Sequence, residues 1–108
     1  MNMRLILGSK GSGKTTKAIG EANLLDKYSI KVAFIVSHTD YEKVLREMGL
    51  NKNIPVYSVY GAKSKDLHDY ILIFEELECI LRSMFRCQNI CVTADGDNSE
   101  FLKGFNGD

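Results

Sequence analysis

Gly8-Ser9-Lys10-Gly11-Ser12-Gly13-Lys14-Thr15-Thr16 sets three glycines, two lysines and four hydroxyls within nine consecutive positions. Gly8 to Thr15 fits G-x-x-x-x-G-K-[ST] at every fixed position. Each residue type has a chemical reason to stand where it does. Gly8, Gly11 and Gly13 let the backbone wrap closely around phosphate oxygens, in conformations that a Cβ would oppose. The loop amides then point inward, with those of Ser9, Lys10 and Ser12 between the glycines, and the helix that follows offers its positive end. Lys14 carries a point charge to the β- and γ-phosphates, and the Thr15 hydroxyl is small and hard enough to ligate Mg²⁺. Thr16 is placed to touch the α-phosphate. The alternative, a flexible glycine turn with incidental lysines, leaves the flanking strand-like and helix-like segments unexplained.

A triphosphate site needs an acidic element on a neighbouring strand. "DYILIFEEL" (69–77) supplies Glu75 and Glu76 at the end of an apolar run. The first acid after such a strand holds Mg²⁺. Here it is Glu75, one methylene longer than the usual Asp. Glu76, next along, stands where a general base would take a proton from water or a hydroxyl nucleophile. The competing account makes both simply first-turn acids, stabilised by a helix dipole. Thr93 or Asp95, after a later apolar run, is a candidate polar sensor beside the γ-phosphate, since open α/β sheets bind ligands at their carboxyl edges. A solvated turn explains the same residues equally well.

These groups must be positioned by secondary structure. "MRLIL" (Met3 to Leu7) reads as a short buried strand stopped by Gly8. Thr15 to Lys27 reads as a helix with Ala18, Ile19, Ala22 and Leu25 on one face. Lys31 to Ser37 is β-branched and continuously apolar, the look of a strand covered on both sides. In "HTDYEKVLREMGL", Thr39 with Glu42 predicts a capping box. Tyr41, Val44, Leu45 and Met48 form the inner stripe, and Gly49 takes the position after the helix end. Pro55 to Tyr60 reads as a third strand, "GAKSKDLHD" as a loop, and Tyr70 to Phe74 as a fourth strand. Glu75 to Arg86 follows as a helix with Leu77, Ile80, Leu81, Met84 and Phe85 inward. Asn89 to Thr93 reads as a fifth strand. The tail from residue 96 to 108 is polar and rich in Gly, Asn and Asp, so it is expected to be loop-like. Residues 1–95 then form one nucleotide-binding domain. Continuously apolar strands alternating with helices specify an α/β class, mainly parallel.

Composition sets limits. The chain has 108 residues, and its 14 basic and 14 acidic side chains give a formal charge of zero. That removes the usual electrostatic argument for nucleic acid or an anionic membrane. No apolar stretch approaches the roughly 18 residues that span a bilayer, and the opening apolar run is short for a signal peptide. Three cysteines, Cys79, Cys87 and Cys91, make a poor disulfide framework. These points lead us to expect a cytoplasmic protein without membrane contact. His38 and His68 flank the elements and read as surface residues.

The stretches "LILGSKGSGKTTKAI", "KVAFIVS", "YILIFEELE" and "ICVTADGDNSEFLKGFNG" resemble the P-loop NTPase superfamily of the additional-strand, catalytic-glutamate type. The core is similar to an abbreviated thymidine kinase, and equally to a helicase-like ATPase domain. Asp95, Phe101, Phe105 and Gly107 echo a Leu-Asp-x-x-Phe type segment of the kinases. The resemblance implies a three-layer α/β/α fold with a minimal, mainly parallel five-stranded sheet. It also implies ATP and Mg²⁺ as cofactors and Glu76 as the family's catalytic base. The kinases continue into a zinc-binding ribbon and a nucleoside lid. Cys87 and Cys91, spaced by three residues with no second pair, do not supply such a zinc site.

The leading expectation is therefore an ATP-binding, Mg²⁺-dependent hydrolase. Loop residues Gly8 to Thr16 bind the nucleotide, Thr15 and Glu75 attend the metal, and Lys14 and Glu76 act in catalysis. The alternatives are a non-catalytic nucleotide-dependent interaction module and a truncated thymidine kinase-like phosphotransferase. An uncovered edge beside Met3–Leu7 suggests a homo-oligomer or a protein partner, with Arg82 or Arg86 as trans-acting fingers. Nucleic acid enters this expectation only indirectly.

Overall fold

In a computed structural model, residues 6–7, 11–93 and 100–101 are described. Gly8, Ser9, Lys10, Asp95, Phe105 and Gly107 lie outside them, as do Met3 to Leu5 and most of the tail. The order of elements is β1 (Ile6–Leu7), α1 (Lys14–Lys27), β2 (Val32–Val36), α2 (Tyr41–Glu47), β3 (Val56–Ser58), α3 (Val59–Lys63), β4 (Ile71–Phe74), α4 (Leu77–Phe85) and β5 (Glu100–Phe101). The class is mixed α/β with parallel pairing throughout the described strands.

The described sheet has three strands, not five, in the order β3-β2-β4, and β1 pairs separately with β5. β2 is central and every one of its residues is buried, as its unbroken apolar run predicts. Val32, Phe34 and Val36 face Ala18, Ile19 and Ala22 of α1, Leu45 of α2, and Leu50 and Ile54 of the following loop. Leu25, Tyr41, Val56 and Ile73 pack at the margin of this core. The α1 face is thus the one its spacing specifies.

The C-terminus of α2 is set by Gly49 at φ 106°. Its N–H reaches the Arg46 carbonyl, and the Leu50 N–H reaches that of Leu45, both at 3.0 Å. This is the Schellman closure that a left-handed glycine permits. The expected capping box does not form. The helix starts at Tyr41 without a side-chain cap, and the Glu42 carboxylate instead pairs with Arg46 at 2.9 Å. Val44 and Met48 are exposed rather than inward.

Three further expectations are corrected. The start of the presumed loop is helical, because the Ser58 hydroxyl accepts the Gly61 N–H at 3.1 Å and caps α3. Asn89 to Thr93 is not a strand. The chain leaves α4 through Arg86 in the left-handed region, and the Arg82 side chain donates to the Gln88 carbonyl at 3.2 Å. The strand that pairs with β1 comes instead from Glu100–Phe101, inside the tail read as loop. β4 is an outer strand of the described sheet, and Ile71, Leu72 and Phe74 are exposed. On α4 only Ile80 is fully buried, and Phe85 points into solvent.

Candidate functional site

Parallel strands end together, so the carboxyl ends of β2 and β4 share one edge of the sheet. β4 is locked to β2 by ladder bonds that continue one residue beyond it, where the Glu75 N–H donates to the Ile35 carbonyl at 3.0 Å. This fixes Glu75 at the strand's end. Glu76 then turns the chain, adopting φ 55° and ψ 64° as the N-cap of α4. Its carbonyl accepts the Cys79 N–H at 2.9 Å and the Ile80 N–H at 3.2 Å. A non-glycine residue in that region carries backbone strain.

The loop arrives at the same edge. Gly11 and Gly13 sit at φ 79° and 92°, conformations that glycine adopts without penalty. Gly13 is the N-cap of α1, and its carbonyl accepts the Lys17 N–H at 3.0 Å. The amides of Lys14, Thr15 and Thr16, in the first turn, have no acceptor within the helix. The Ser12 hydroxyl oxygen is buried with no hydrogen-bond partner.

Sixty positions apart in sequence, the two halves meet. The Thr15 hydroxyl donates to Glu75 Oε1 at 2.5 Å. Lys14 Nζ lies 3.6 Å from Glu76 Oε1. Glu75 is 5% exposed. Burial raises its pKa, while the Thr15 hydrogen bond and the Lys14 charge pull it back. Glu76 is pushed up to about 7, first by a hydrogen bond shared with Glu78 and then by burial. The same hydrogen bond holds Glu78 below the usual carboxylate range. The shared hydrogen bond thus moves the two carboxyls in opposite directions, Glu76 up and Glu78 down.

Glu78, Cys79 and Tyr41 were not assigned to the site from sequence. Ligand atoms of Glu76, Glu78 and Cys79 lie within 4.8 Å of one another. Cys79 follows Glu76 at i+3, the one signal that pointed to it. Tyr41, the first residue of α2, feels the Glu75 and Glu76 charges, which add to burial in raising its phenol. Thr16 is exposed on α1, and Thr93 is exposed outside any element. Arg82 is engaged with Gln88. His38 pairs with Asp40 at 3.4 Å on the surface.

The donor set offers positions for anionic oxygens and for a hard divalent cation. A buried hydroxyl without a partner, an ammonium, first-turn amides and two left-handed glycines together form a cradle for anionic oxygens. The Thr15 hydroxyl and the Glu75 carboxylate are hard oxygen donors of the kind Mg²⁺ takes.

The chain matches no family model, no curated protein and no solved structure. No helix among the described residues is long and apolar enough to cross a membrane.

Proposed function

We propose that the chain binds a nucleoside triphosphate with Mg²⁺ at the Gly8–Thr16 loop and hydrolyses it to the diphosphate and phosphate. The observation that carries this reading is the double contact of Thr15 with Glu75 and Lys14 with Glu76. A glycine turn with incidental lysines has no reason to meet, residue for residue, the acidic pair of a distant strand. The finer fold assignment, a three-layer P-loop NTPase architecture, belongs to the same proposal.

Loop amides, Lys14 and the Ser12 hydroxyl would hold the phosphates, and Thr15 and Glu75 would hold Mg²⁺, which would supply neutralisation of phosphate charge when bound. Lys14 is paired with Glu76, so an incoming γ-phosphate competes for the ammonium. Transfer of Lys14 to the phosphate leaves Glu76 facing the attacking water. Glu76 takes a proton from that water as its oxygen bonds to the γ-phosphorus, and the bond from phosphorus to the leaving oxygen breaks.

Calorimetric titration with ATP and with GTP, each with and without Mg²⁺, tests binding. Lys14→Ala is expected to weaken affinity at least about tenfold, since hydrogen bonds to charged groups contribute about 1.5–3 kcal/mol each. Unchanged affinity overturns the assignment. Phosphate release tests turnover. Glu76→Gln is expected to keep binding and slow turnover by about 10²–10⁴-fold.

The Lys14–Glu76 ion pair favours one second reading, a nucleotide-dependent interaction module without turnover. A base that stays tied to the lysine does not act. Tight Mg²⁺–ATP binding with no phosphate release in the unaltered protein selects the module over the hydrolase.

A further inference from the structure

Besides the first turn of α1 and the end of β4, a third segment reaches the carboxyl edge of the sheet: the turn from β2 into α2. There the Tyr41 N–H donates to the His38 carbonyl and the Glu42 N–H to that of Thr39, both at 3.0 Å. This tight turn lets Tyr41 open α2 only five residues after β2 ends at Val36. The Tyr41 ring packs on the margin of the core that α1 and α2 share with β2. Ile73 of β4 packs on the same core. Side chains alternate along a strand, so Glu75, two residues on, turns to the same side of the sheet as Tyr41.

Packing accounts for the ring of Tyr41 but not for its hydroxyl. Among the described residues the phenol makes no hydrogen bond. It nevertheless lies within electrostatic reach of Glu75, Glu76 and Cys79. Burial and these acids hold the proton on the phenol, so at neutral pH it is a neutral donor. A donor left unused beside two carboxylates suits an oxyanion that arrives from outside. Lys14, 3.6 Å from Glu76, is the residue whose type and place serve the β- and γ-phosphates. The Glu76 end of the cradle is therefore its terminal-phosphate end. We propose that the Tyr41 hydroxyl donates a hydrogen bond to the terminal phosphate of a bound nucleoside triphosphate, and so makes the site prefer a triphosphate to a diphosphate. The inference rests on the reading of the Gly8–Thr16 loop as a nucleotide cradle and adds the residue that sets its preference. A diphosphate stops short of the phenol and gains nothing from it. A triphosphate brings further negative charge toward Glu75 and Glu76, and a donor at that point offsets part of the repulsion.

Calorimetric titration of the full chain and of Tyr41→Phe tests this. The ligands are the β,γ-imido analogues of ATP and GTP, which do not hydrolyse to the diphosphate, and ADP and GDP, all with Mg²⁺. Phenylalanine keeps the packed ring and removes only the donor. The unaltered chain is expected to bind a triphosphate analogue more tightly than the matching diphosphate. Tyr41→Phe is expected to weaken the triphosphate about tenfold, as loss of a hydrogen bond to a charged group does, and to leave diphosphate affinity in place. Equal weakening of both ligands makes Tyr41 a structural residue and overturns the proposal. So does a triphosphate preference that Tyr41→Phe leaves unchanged while Lys14→Ala weakens both ligands, and in that case the nucleotide reading stands. Failure of the unaltered chain to bind any of the four ligands overturns the nucleotide reading and this inference with it.

Discussion

The Thr15 hydroxyl donates to the buried Glu75 carboxylate at 2.5 Å, across 60 positions of sequence. This bond joins the first turn of α1 to the end of β4 and opposes the upward push that burial gives the carboxyl's pKa. Thr15→Ala removes the donor and leaves the acid without it. Urea unfolding is expected to show a loss of about 1–3 kcal/mol. The loss should depend on pH. Glu75 already titrates above its unfolded value, and without Thr15 it titrates higher still. Stability from such a group falls as pH rises from the unfolded pKa through the folded one. The gap between variant and parent should therefore be small near pH 4.5 and widen toward pH 8. A gap independent of pH would show that the threonine acts only by packing.

Glu76 carries its proton up to about pH 7, mainly through the bond it shares with Glu78. As a base it must be ionised, so turnover is expected to rise with pH through about 7. Glu78→Gln removes the neighbouring anion, and the midpoint should move to lower pH without loss of the plateau. Stability moves the other way. A raised carboxyl binds its proton more tightly in the folded state, so its contribution declines between pH 4.5 and 7. Glu76→Gln should flatten that decline. A pH–rate midpoint that Glu78→Gln leaves in place would remove the pair from catalysis.

Arg46 holds the end of α2 to the chain that leads into β3. Its guanidinium meets Glu42 at 2.9 Å, the Asn51 carbonyl at 2.5 Å and the Ile54 carbonyl at 2.7 Å. Asn51 in turn donates its N–H to Asn23 of α1 at 2.9 Å. Arg46→Lys keeps the charge but loses the planar fork. It is expected to cost about 1–2 kcal/mol in urea unfolding, and Arg46→Ala more, because two carbonyls lose a charged donor. Equal stability of the lysine variant would reduce Arg46 to a surface pair.

The parts legible in sequence are those whose signal is local and whose partners lie on every side. Val32–Val36 has helices on one face and strands on both edges, so its composition and its burial agree. Gly49 marks the end of α2 because few other residues adopt its φ. That Lys14 and Thr15 meet Glu75 and Glu76 is a matter of tertiary contact, for which periodicity gives no signal. Failures arise where one particular side-chain or strand partner decides. Asn89–Thr93 has the composition of a strand, but a left-handed Arg86 and the Arg82–Gln88 bond redirect it. Glu100–Phe101 sits in a polar tract and becomes a strand only by pairing with Ile6–Leu7. Thr39 and Glu42 spell a capping box, yet Arg46 one turn later offers Glu42 a charged partner instead. Glu78 carried no signal, since its role is defined by a neighbour two residues away at a sharp turn.

That sharp turn supports a last prediction. Glu76 holds φ 55° and ψ 64°, a conformation that glycine adopts freely and that costs other residues about 1–3 kcal/mol. Arg86 at φ 52° and Ser29 at φ 61° bear the same kind of strain away from the cradle. Glu76→Gly removes the strain and the raised carboxyl together, and gives up the hydrogen bond shared with Glu78 and a partly exposed ion pair of small worth. It should therefore raise the thermal midpoint while slowing phosphate release at least as much as Glu76→Gln. Arg86→Gly should raise the midpoint and leave release unchanged. The gain is limited by the extra freedom glycine brings to the unfolded chain, about 0.4–1 kcal/mol. Strain kept at the acid and relieved without functional loss at the arginine would mark position 76 as held for chemistry. A lower midpoint for Glu76→Gly would mean that its side chain stabilises the turn, and that the left-handed residue is a structural choice rather than a functional one.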